Sequence, residues 1–295
     1  MPEHTPATTA LPTVAQALQQ ALARGLARID AQVLLLHVMG RATHERAWLL
    51  THDDQVLTAQ QAQHYANCCA QRLDAVPVAY LTGCKEFFGL PLRVDARVLD
   101  PRPDTEILVE WALELLPADG QQRVLDLGTG SGAIALALQS QRPQAQVLAV
   151  DASSDALAVA QANAQALQLP VQFLASSWLE QVTGTFALIV SNPPYIREDD
   201  AHMRALRHEP RQALTSGADG LDDIRTIAQQ ARAHLLPGGW LLLEHGWDQA
   251  RNVQAILQAA GFASVCSRQD LAGQWRCTGG QWADPTAPTP TQTVK

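Results

Sequence analysis

Val124-Leu125-Asp126-Leu127-Gly128-Thr129-Gly130-Ser131-Gly132-Ala133-Ile134-Ala135 reads as strand, glycine turn and helix in direct succession. The apolar run that leads into it has the character of a parallel strand buried on both faces. Glycines at alternate positions let the backbone approach a ligand with no Cβ in the way. The helix that follows points its first N–H groups at the same spot. About twenty residues on, a second apolar run ends in Val150-Asp151, where a carboxylate can accept both hydroxyls of a ribose.

Outward from that stretch the same rhythm repeats. Strands are expected over 124–127, 147–150, 171–174, 186–190, 240–244, 263–266 and 275–278. Helices are expected between them over 133–140, 154–167, 222–235 and 248–260. Repeated strand–helix units imply an α/β fold, a doubly wound and mostly parallel sheet with right-handed crossovers. The region before residue 76 is different. Val14, Leu18, Ala21 and Leu22 recur at helical spacing behind Thr13 as N-cap. A second helix is expected from near Asp30 to Gly40, a third over 43–50 and a fourth over 58–73. The domain organisation is therefore a disordered lead over 1–10, a small all-helical domain over 11–75 and a hairpin linker over 76–101. The α/β domain follows over 102–282, and then a disordered, Pro/Thr-rich tail over 283–295. Phe87-Phe88-Gly89-Leu90 marks the hairpin, and Pro101-Arg102-Pro103-Asp104-Thr105-Glu106 starts a helix with Asp104 as its cap.

A chain of 295 residues can bury a full core. Its 47% hydrophobic and 17% charged residues are those of a globular protein, and no run approaches the roughly 20 apolar residues of a membrane span. Met1–Ala10 lacks the basic and apolar regions of a secretion signal. Cys68, Cys69, Cys84, Cys266 and Cys277 show no metal-ligand spacing, so no metal site is expected, and a reducing cytoplasm fits them. Net charge is −8, with 8 Lys/Arg against 9 Asp/Glu in residues 1–100 and 13 against 20 beyond. A protein built around a nucleic-acid backbone would show a basic face instead. Neither stable nucleic-acid binding nor membrane association is expected, and the chain is expected to be a monomer.

The glycine pattern is GxGxG with an acidic residue in the strand before it. A dinucleotide dehydrogenase would show GxGxxG. The form here is the one seen in S-adenosylmethionine (SAM) methyltransferases, and Gly128, Thr129, Gly130, Ser131, Gly132 and Asp151 are its candidate cofactor-binding residues. Trp178, at the end of the third strand, is placed to lie along an adenine.

A second motif follows the apolar run 186–190. In Ser191-Asn192-Pro193-Pro194-Tyr195 the prolines forbid strand and helix, and the first pushes Asn192 out of the helical region. The Asn192 side-chain oxygen and the Pro193 carbonyl can each accept one N–H of a planar NH2 group. That fixes the plane of the nitrogen and stabilises the positive charge that develops on it during methyl transfer. Pro194 stiffens the turn and Tyr195 can pack on the flat group. Two substrate classes present such a nitrogen: adenine or cytosine in nucleic acid, and the carboxamide of glutamine or asparagine. A third reading is a non-catalytic binder that has kept the fold.

Four motifs stand in order: Pro101-Arg102-Pro103-Asp104-Thr105-Glu106, the glycine stretch, Ser191-Asn192-Pro193-Pro194-Tyr195 and Leu243-Glu244-His245-Gly246-Trp247. Together they resemble the HemK/PrmC family of peptide chain release factor glutamine methyltransferases, over roughly residues 11–282. The resemblance implies that Gly128 to Gly132, Asp151, Trp178 and Asn192 bind SAM, and that Asn192, Pro193, Pro194 and Tyr195 hold and orient the substrate glutamine. It implies that this glutamine belongs to the Gly-Gly-Gln loop of bacterial class I release factors, which the helical domain helps dock. The alternative that the resemblance leaves open is a ribosomal-protein glutamine methyltransferase, and after it an adenine or cytosine amino-methyltransferase acting on RNA or DNA. Two positions depart from the family pattern: Ser177 stands where Asp is usual, and Asp100 replaces an apolar residue. Thr278-Gly279-Gly280-Gln281 spells the substrate tripeptide, read as a coincidence in a strand end.

Overall fold

The computed structural model describes residues 10–283, and the lead and tail expected over 1–10 and 283–295 lie outside that range save for Ala10 and Ala283. The chain divides into two units, Met1–Gly83 and Cys84–Lys295.

The first unit holds α1 (Val14–Ala23), α2 (Arg28–Val38), α3 (Trp48–Thr51), α4 (Ala59–Leu73) and α5 (Val78–Thr82). Thr13 and Thr58 start α1 and α4 with reciprocal capping boxes, each hydroxyl accepting from a Gln N–H three residues on while that Gln side chain accepts from the Thr N–H. Leu34, Leu35 and Leu36 of α2 are fully buried against Val14 and Ala17 of α1 and Tyr65 and Cys68 of α4. The Tyr65 hydroxyl donates to the Ala31 carbonyl at 3.0 Å, so the one polar atom of that ring is satisfied in the core.

The helix expected over 43–50 shrinks to the single turn α3. Glu45 accepts from the Ala42 N–H and from Arg41, whose guanidinium lies 3.9 Å from the Trp48 ring. Local side-chain bonds of this kind compete with the helical ladder. The connector expected over 76–101 opens with α5 rather than a strand, and Gly83 ends that helix in the left-handed region.

The second unit begins with an antiparallel hairpin, β1 (Cys84–Phe87) and β2 (Leu90–Arg93), whose two turn residues Phe88 and Gly89 both have positive φ. A 3-10 turn, Pro103–Thr105, leads into α6 (Glu106–Leu115). Asp104 makes no cap; its carboxylate pairs with Arg276 at 3.1 Å, a partner too distant in sequence for a capping rule to anticipate. Next come β3 (Arg123–Leu127), α7 (Ala133–Gln141), β4 (Gln146–Asp151), α8 (Ser154–Leu167), β5 (Gln172–Ala175) and β6 (Phe186–Ser191). The unit closes with α9 (Asp222–Ala231), β7 (Leu235–Glu244), α10 (Ala250–Ala259), β8 (Phe262–Gln269) and β9 (Trp275–Trp282).

Among the described residues the main sheet has seven strands in the order β5-β4-β3-β6-β7-β9-β8. The run from β5 to β7 is parallel, and β9 is antiparallel to both neighbours. The helix expected over 222–235 stops at Ala231 because Leu235 already pairs with Phe186. The extra length of β7 is taken up at a register shift, where a Cβ on Gly239 would sit 2.9 Å from the Leu236 carbonyl oxygen.

Alternate strand residues face opposite layers. Val124, Leu188 and Leu242 pack with α6 and α7, while Leu125, Ile189 and Leu241 pack with α9 and α10. The chain reverses direction of progress between β3 and β6, so their carboxyl ends open a crevice at the centre of the sheet.

Asn163 of α8 ties the hairpin to that crevice. Its side-chain oxygen accepts from the Arg93 N–H at 2.8 Å, and its nitrogen donates to the Arg93 carbonyl at 3.0 Å and the Ser131 carbonyl at 2.9 Å. Replacing Asn163 with Ala is expected to destabilise the protein by about 2–3 kcal/mol, because buried backbone groups lose their partners. Urea denaturation measures this, and a loss below about 0.5 kcal/mol would count against the tie.

Candidate active site

The glycine loop is held from below by a carboxylate. Asp126, fully buried at the end of β3, accepts from the Thr129 hydroxyl at 2.7 Å and from the Ala135 N–H at 3.2 Å. It thereby grips both the loop and the first turn of α7. Burial pushes its pKa up to about 7, against the pull of those two hydrogen bonds. The loop is held from the side as well. The N–H groups of Gly128 and Thr129 donate to the Val150 carbonyl at 2.8 and 2.9 Å. Asp151 accepts from the Gly130 N–H on one oxygen and from the Ser153 N–H on the other, each at 2.9 Å.

A cavity of about 540 Å³ lies over the carboxyl ends of the strands. Gly128, Gly130, Asp151, Trp178, Asn192 and Pro194 all line it. The other predicted site residues stand behind this wall. Thr129 is turned down to Asp126, Ser131 gives its carbonyl to Asn163, and Gly132 starts α7. Pro193 is buried and Tyr195 half-buried, neither lining the cavity.

Trp178 holds a left-handed backbone conformation, φ 47°, which is costly for a bulky residue and persists only where surroundings dictate it. Its indole N–H donates to Asp223 of α9 at 3.0 Å, and its ring lies against Gly128, where a Cβ would come within 3.2 Å. Gly128 therefore has two reasons to be glycine: its φ of 70° and the indole beside it. Ser177 also lines the cavity.

The turn after β6 is anchored at each residue that can be anchored. The Ser191 hydroxyl donates across to the Leu127 carbonyl at 2.7 Å, locking β6 to β3 at the loop. The Asn192 side-chain N–H donates to the Thr105 hydroxyl at 3.2 Å. The Tyr195 hydroxyl donates to the buried Glu244 carboxylate at 3.4 Å, and the Tyr195 carbonyl accepts from Gln249 at 3.0 Å. Burial pushes Glu244 up to about 7, opposed first by the Thr105 hydroxyl and then by Arg276. Burial and the Glu244 charge both push the Tyr195 phenol well above its usual range, so it stays protonated.

The far wall of the cavity was not legible as a site. Pro210, Gln212 and Ala213 line it from the segment between β6 and α9, and Arg97 and Leu99 from the segment before Pro101. Glu209 joins these two segments: it accepts from the Arg102 guanidinium at 2.5 Å and from the Asp100 N–H at 3.2 Å. Asp100 is itself buried, beside Lys85 and Arg102. The pair Glu209-Pro210 is visible in the sequence, but nothing local says which arginine it meets.

The sheet order, the glycine loop and the acidic strand end define a SAM-dependent methyltransferase of the class I, Rossmann-like type. A family model described as the methyltransferase small domain matches residues 104–259, and one described as the PrmC N-terminal domain matches residues 9–83. A release factor glutamine methyltransferase of Yersinia pestis is 48% identical over 257 residues, covering 86% of this chain and 92% of its own. The protein of that name from Bordetella pertussis is 49% identical over 260 residues, covering 87% and 95%. A methyltransferase structure from Pyrococcus furiosus aligns with a TM-score of 0.54 at 20% identity, over 74% of this chain and 100% of that one, a likeness of fold alone. The chain belongs to the HemK/PrmC family of release factor glutamine methyltransferases.

Asp126 gives the site a pH signature. Its folded pKa lies above the ordinary 3.8, so the stability it contributes is complete below that value and is lost as pH rises through about 7. Asp126→Asn stays neutral throughout. Wild type should therefore gain on the variant by on the order of 1 kcal/mol between about pH 8 and about pH 6. Urea denaturation at both pH values reads this difference; a flat or reversed difference would contradict the assigned burial.

Proposed function

We propose that this chain transfers a methyl group from SAM to the side-chain amide nitrogen of the glutamine in the Gly-Gly-Gln motif of bacterial class I release factors. The observation that carries the reading is the meeting, at one crevice, of the glycine loop after β3 and the Asn192–Tyr195 turn after β6. The family relatives named for that substrate narrow the acceptor to a protein glutamine.

The residues present fit SAM. The cavity is large enough for a nucleoside with a short side chain. A Cβ at Gly130 would meet nothing within 4 Å, so the backbone of the loop is open on that side. Gly128 and Gly130 would face the cofactor, with Thr129, Ser131 and Gly132 shaping the loop behind them, Asp151 accepting from the ribose hydroxyls and Trp178 walling the adenine. Bound there, SAM supplies an electrophilic methyl group on a sulfonium.

The chain's own residues do the rest. Asn192 and the Pro193 carbonyl accept the two N–H groups of the glutamine amide and set its plane. As the nitrogen gains the methyl group and its positive charge, both oxygens stabilise it, and the amide returns to neutral by releasing one of its two N–H protons to water. Pro194 keeps the turn stiff, and Tyr195, tethered by its hydroxyl and its carbonyl, backs it. The helical unit would help dock the release factor. The cytoplasm, where translation factors work, is the setting this substrate requires, and no helix among the described residues is long and apolar enough to cross a membrane.

Mass spectrometry of a release factor incubated with the protein and SAM should find one methyl group on the Gly-Gly-Gln glutamine. An unmodified glutamine, with methylation of a ribosomal protein or a nucleic acid instead, would overturn the assignment. Asn192→Ala should lower kcat by roughly 10²–10³-fold, the cost of one lost acceptor in the transition state. Calorimetry should find SAM affinity changed far less. A collapse of SAM binding with a normal rate at saturation would reassign Asn192.

A further inference from the structure

An indole has one polar atom, a donor, and a tryptophan in a cavity wall needs an acceptor for it. For Trp178 that acceptor is Asp223, in the first turn of α9: the indole N–H donates to Oδ1 at 3.0 Å, across 45 positions of sequence. Asp223 is held in its turn by its own backbone N–H, which donates to the hydroxyl of buried Ser216 at 2.8 Å. Its other carboxylate oxygen, Oδ2, receives no donor among the described residues. The residue is half-buried and lines the cavity together with Trp178.

Asp151, Asp155 and Asp223 are the carboxylates that line this cavity. Asp151 takes the Gly130 N–H on one oxygen and the Ser153 N–H on the other, and Asp155 is exposed. Asp223 differs from both, with one oxygen committed to the indole and one open. The indole also supplies a direction. Its nitrogen edge meets Asp223, while its opposite edge meets Gly128, where a Cβ would lie 3.2 Å from Cζ3. Asp223 therefore stands at the end of the ring remote from the glycine loop. A purine lying along this ring, with its ribose at Asp151 beside the loop, turns its far edge toward Asp223. In adenine that edge carries the 6-amino group, a donor, and a carboxylate can only accept.

We infer that Asp223 is a further cofactor-binding residue that selects the base: Oδ1 fixes the Trp178 indole while Oδ2 accepts from the 6-amino group of the adenine. The inference rests on the SAM reading of the cavity. Ser177 lines the same cavity, but a hydroxyl both donates and accepts and so does not tell an amino group from an oxo group. A carboxylate does, by repulsion as much as attraction, because a 6-oxo group would face it with no proton between them.

The test measures, by calorimetry on the full chain, the binding of S-adenosylhomocysteine, the demethylated form of SAM, and of S-inosylhomocysteine, its 6-oxo counterpart. Wild type is compared with Asp223→Asn, Asp223→Ala and Ser177→Ala. Asparagine keeps the shape of the side chain. Because the indole N–H only donates, the amide must give its oxygen to Trp178 and turn its NH2 toward the cavity. Wild type should bind the amino form roughly 10–100-fold more tightly than the oxo form. In Asp223→Asn that ratio should fall to about unity or below, the amino form binding more weakly than in wild type and the oxo form more tightly. Asp223→Ala should lower the ratio as well, by weakening the amino form alone. Ser177→Ala should keep the wild-type ratio.

An equal loss for both ligands in the Asp223 variants, with the ratio unchanged, would overturn the inference by showing that Asp223 acts through Trp178 alone. A ratio that collapses in Ser177→Ala instead would overturn it in favour of the serine. Failure of the SAM reading is seen separately, as wild type that binds neither ligand, whereas failure of the base contact is seen only in the variants.

Discussion

A carboxylate with no exposed surface, Asp126, is the constraint on which the rest of the cofactor side depends. A buried acid is tolerated only where donors meet it, and the two that do belong to the two ends of the glycine turn, Thr129 and Ala135. The loop cannot drift without stranding that group in the core. Its outer face is fixed in turn by Asp151, which reaches back to the Gly130 N–H while its other oxygen starts α8 through Ser153. Gly128 and Gly130 hold positive φ along this path, a conformation glycine adopts without steric cost. The loop is thus preorganised from behind by Asp126 and from the side by Asp151, which itself lines the cavity, and such fixing is what a site built for close backbone approach requires.

The acceptor side follows the same logic with different chemistry. In the turn from Ser191 to Tyr195, the polar groups that face inward are spoken for by other elements: Leu127 of β3, Thr105, Glu244 of β7 and Gln249. Gln249 is notable for holding two loops at once, accepting from the Gly246 N–H at 2.8 Å while donating to the Tyr195 carbonyl. No hydrogen bond among the described residues engages the Asn192 side-chain oxygen or the Pro193 carbonyl. A stiff turn alone would place atoms near the methyl donor; the anchoring decides which atoms those are.

The two motifs were legible in the sequence because each is local. Strand, glycine turn and helix occupy consecutive residues, and so does the proline turn, so periodicity and backbone stereochemistry are enough to read them. The capped starts of α1 and α4 were legible for the same reason, since Thr13 and Thr58 find their partners three residues on. The supports were not legible. Asn163, Trp178, Tyr195 and Asn192 reach partners 70, 45, 54 and 87 positions away, and no window of sequence contains both members of such a pair. Asp104 shows the reverse error: a capping role is what local rules suggest, and Arg276, brought in by β9, overrides it. The shortened α3 is different again. There the local rules conflict, helical periodicity against Glu45 bonding its own neighbourhood, and the side-chain bonds prevail.

Asp100 stands behind the far wall of the cavity in a cluster of charged side chains. Two carboxylates, Asp100 and Glu209, face two cations, Lys85 and Arg102, so the cluster is balanced in charge. The contacts of Asp100 through its side chain are the long ones, 3.5 Å to Lys85 and 3.4 Å to Arg102. The short contact in the cluster, 2.5 Å, runs from Arg102 to Glu209. The other bond that Glu209 receives comes from the backbone N–H at position 100, which any residue except proline would supply. The segment carrying Pro210 and Gln212 to the far wall of the cavity is therefore tied down by Arg102 and by a main-chain atom. An apolar residue at position 100 would forfeit the partner of Lys85 while leaving that tie intact. Asp100 thus sets the charge behind the wall and leaves the geometry of the wall to Arg102, Glu209 and a main-chain N–H.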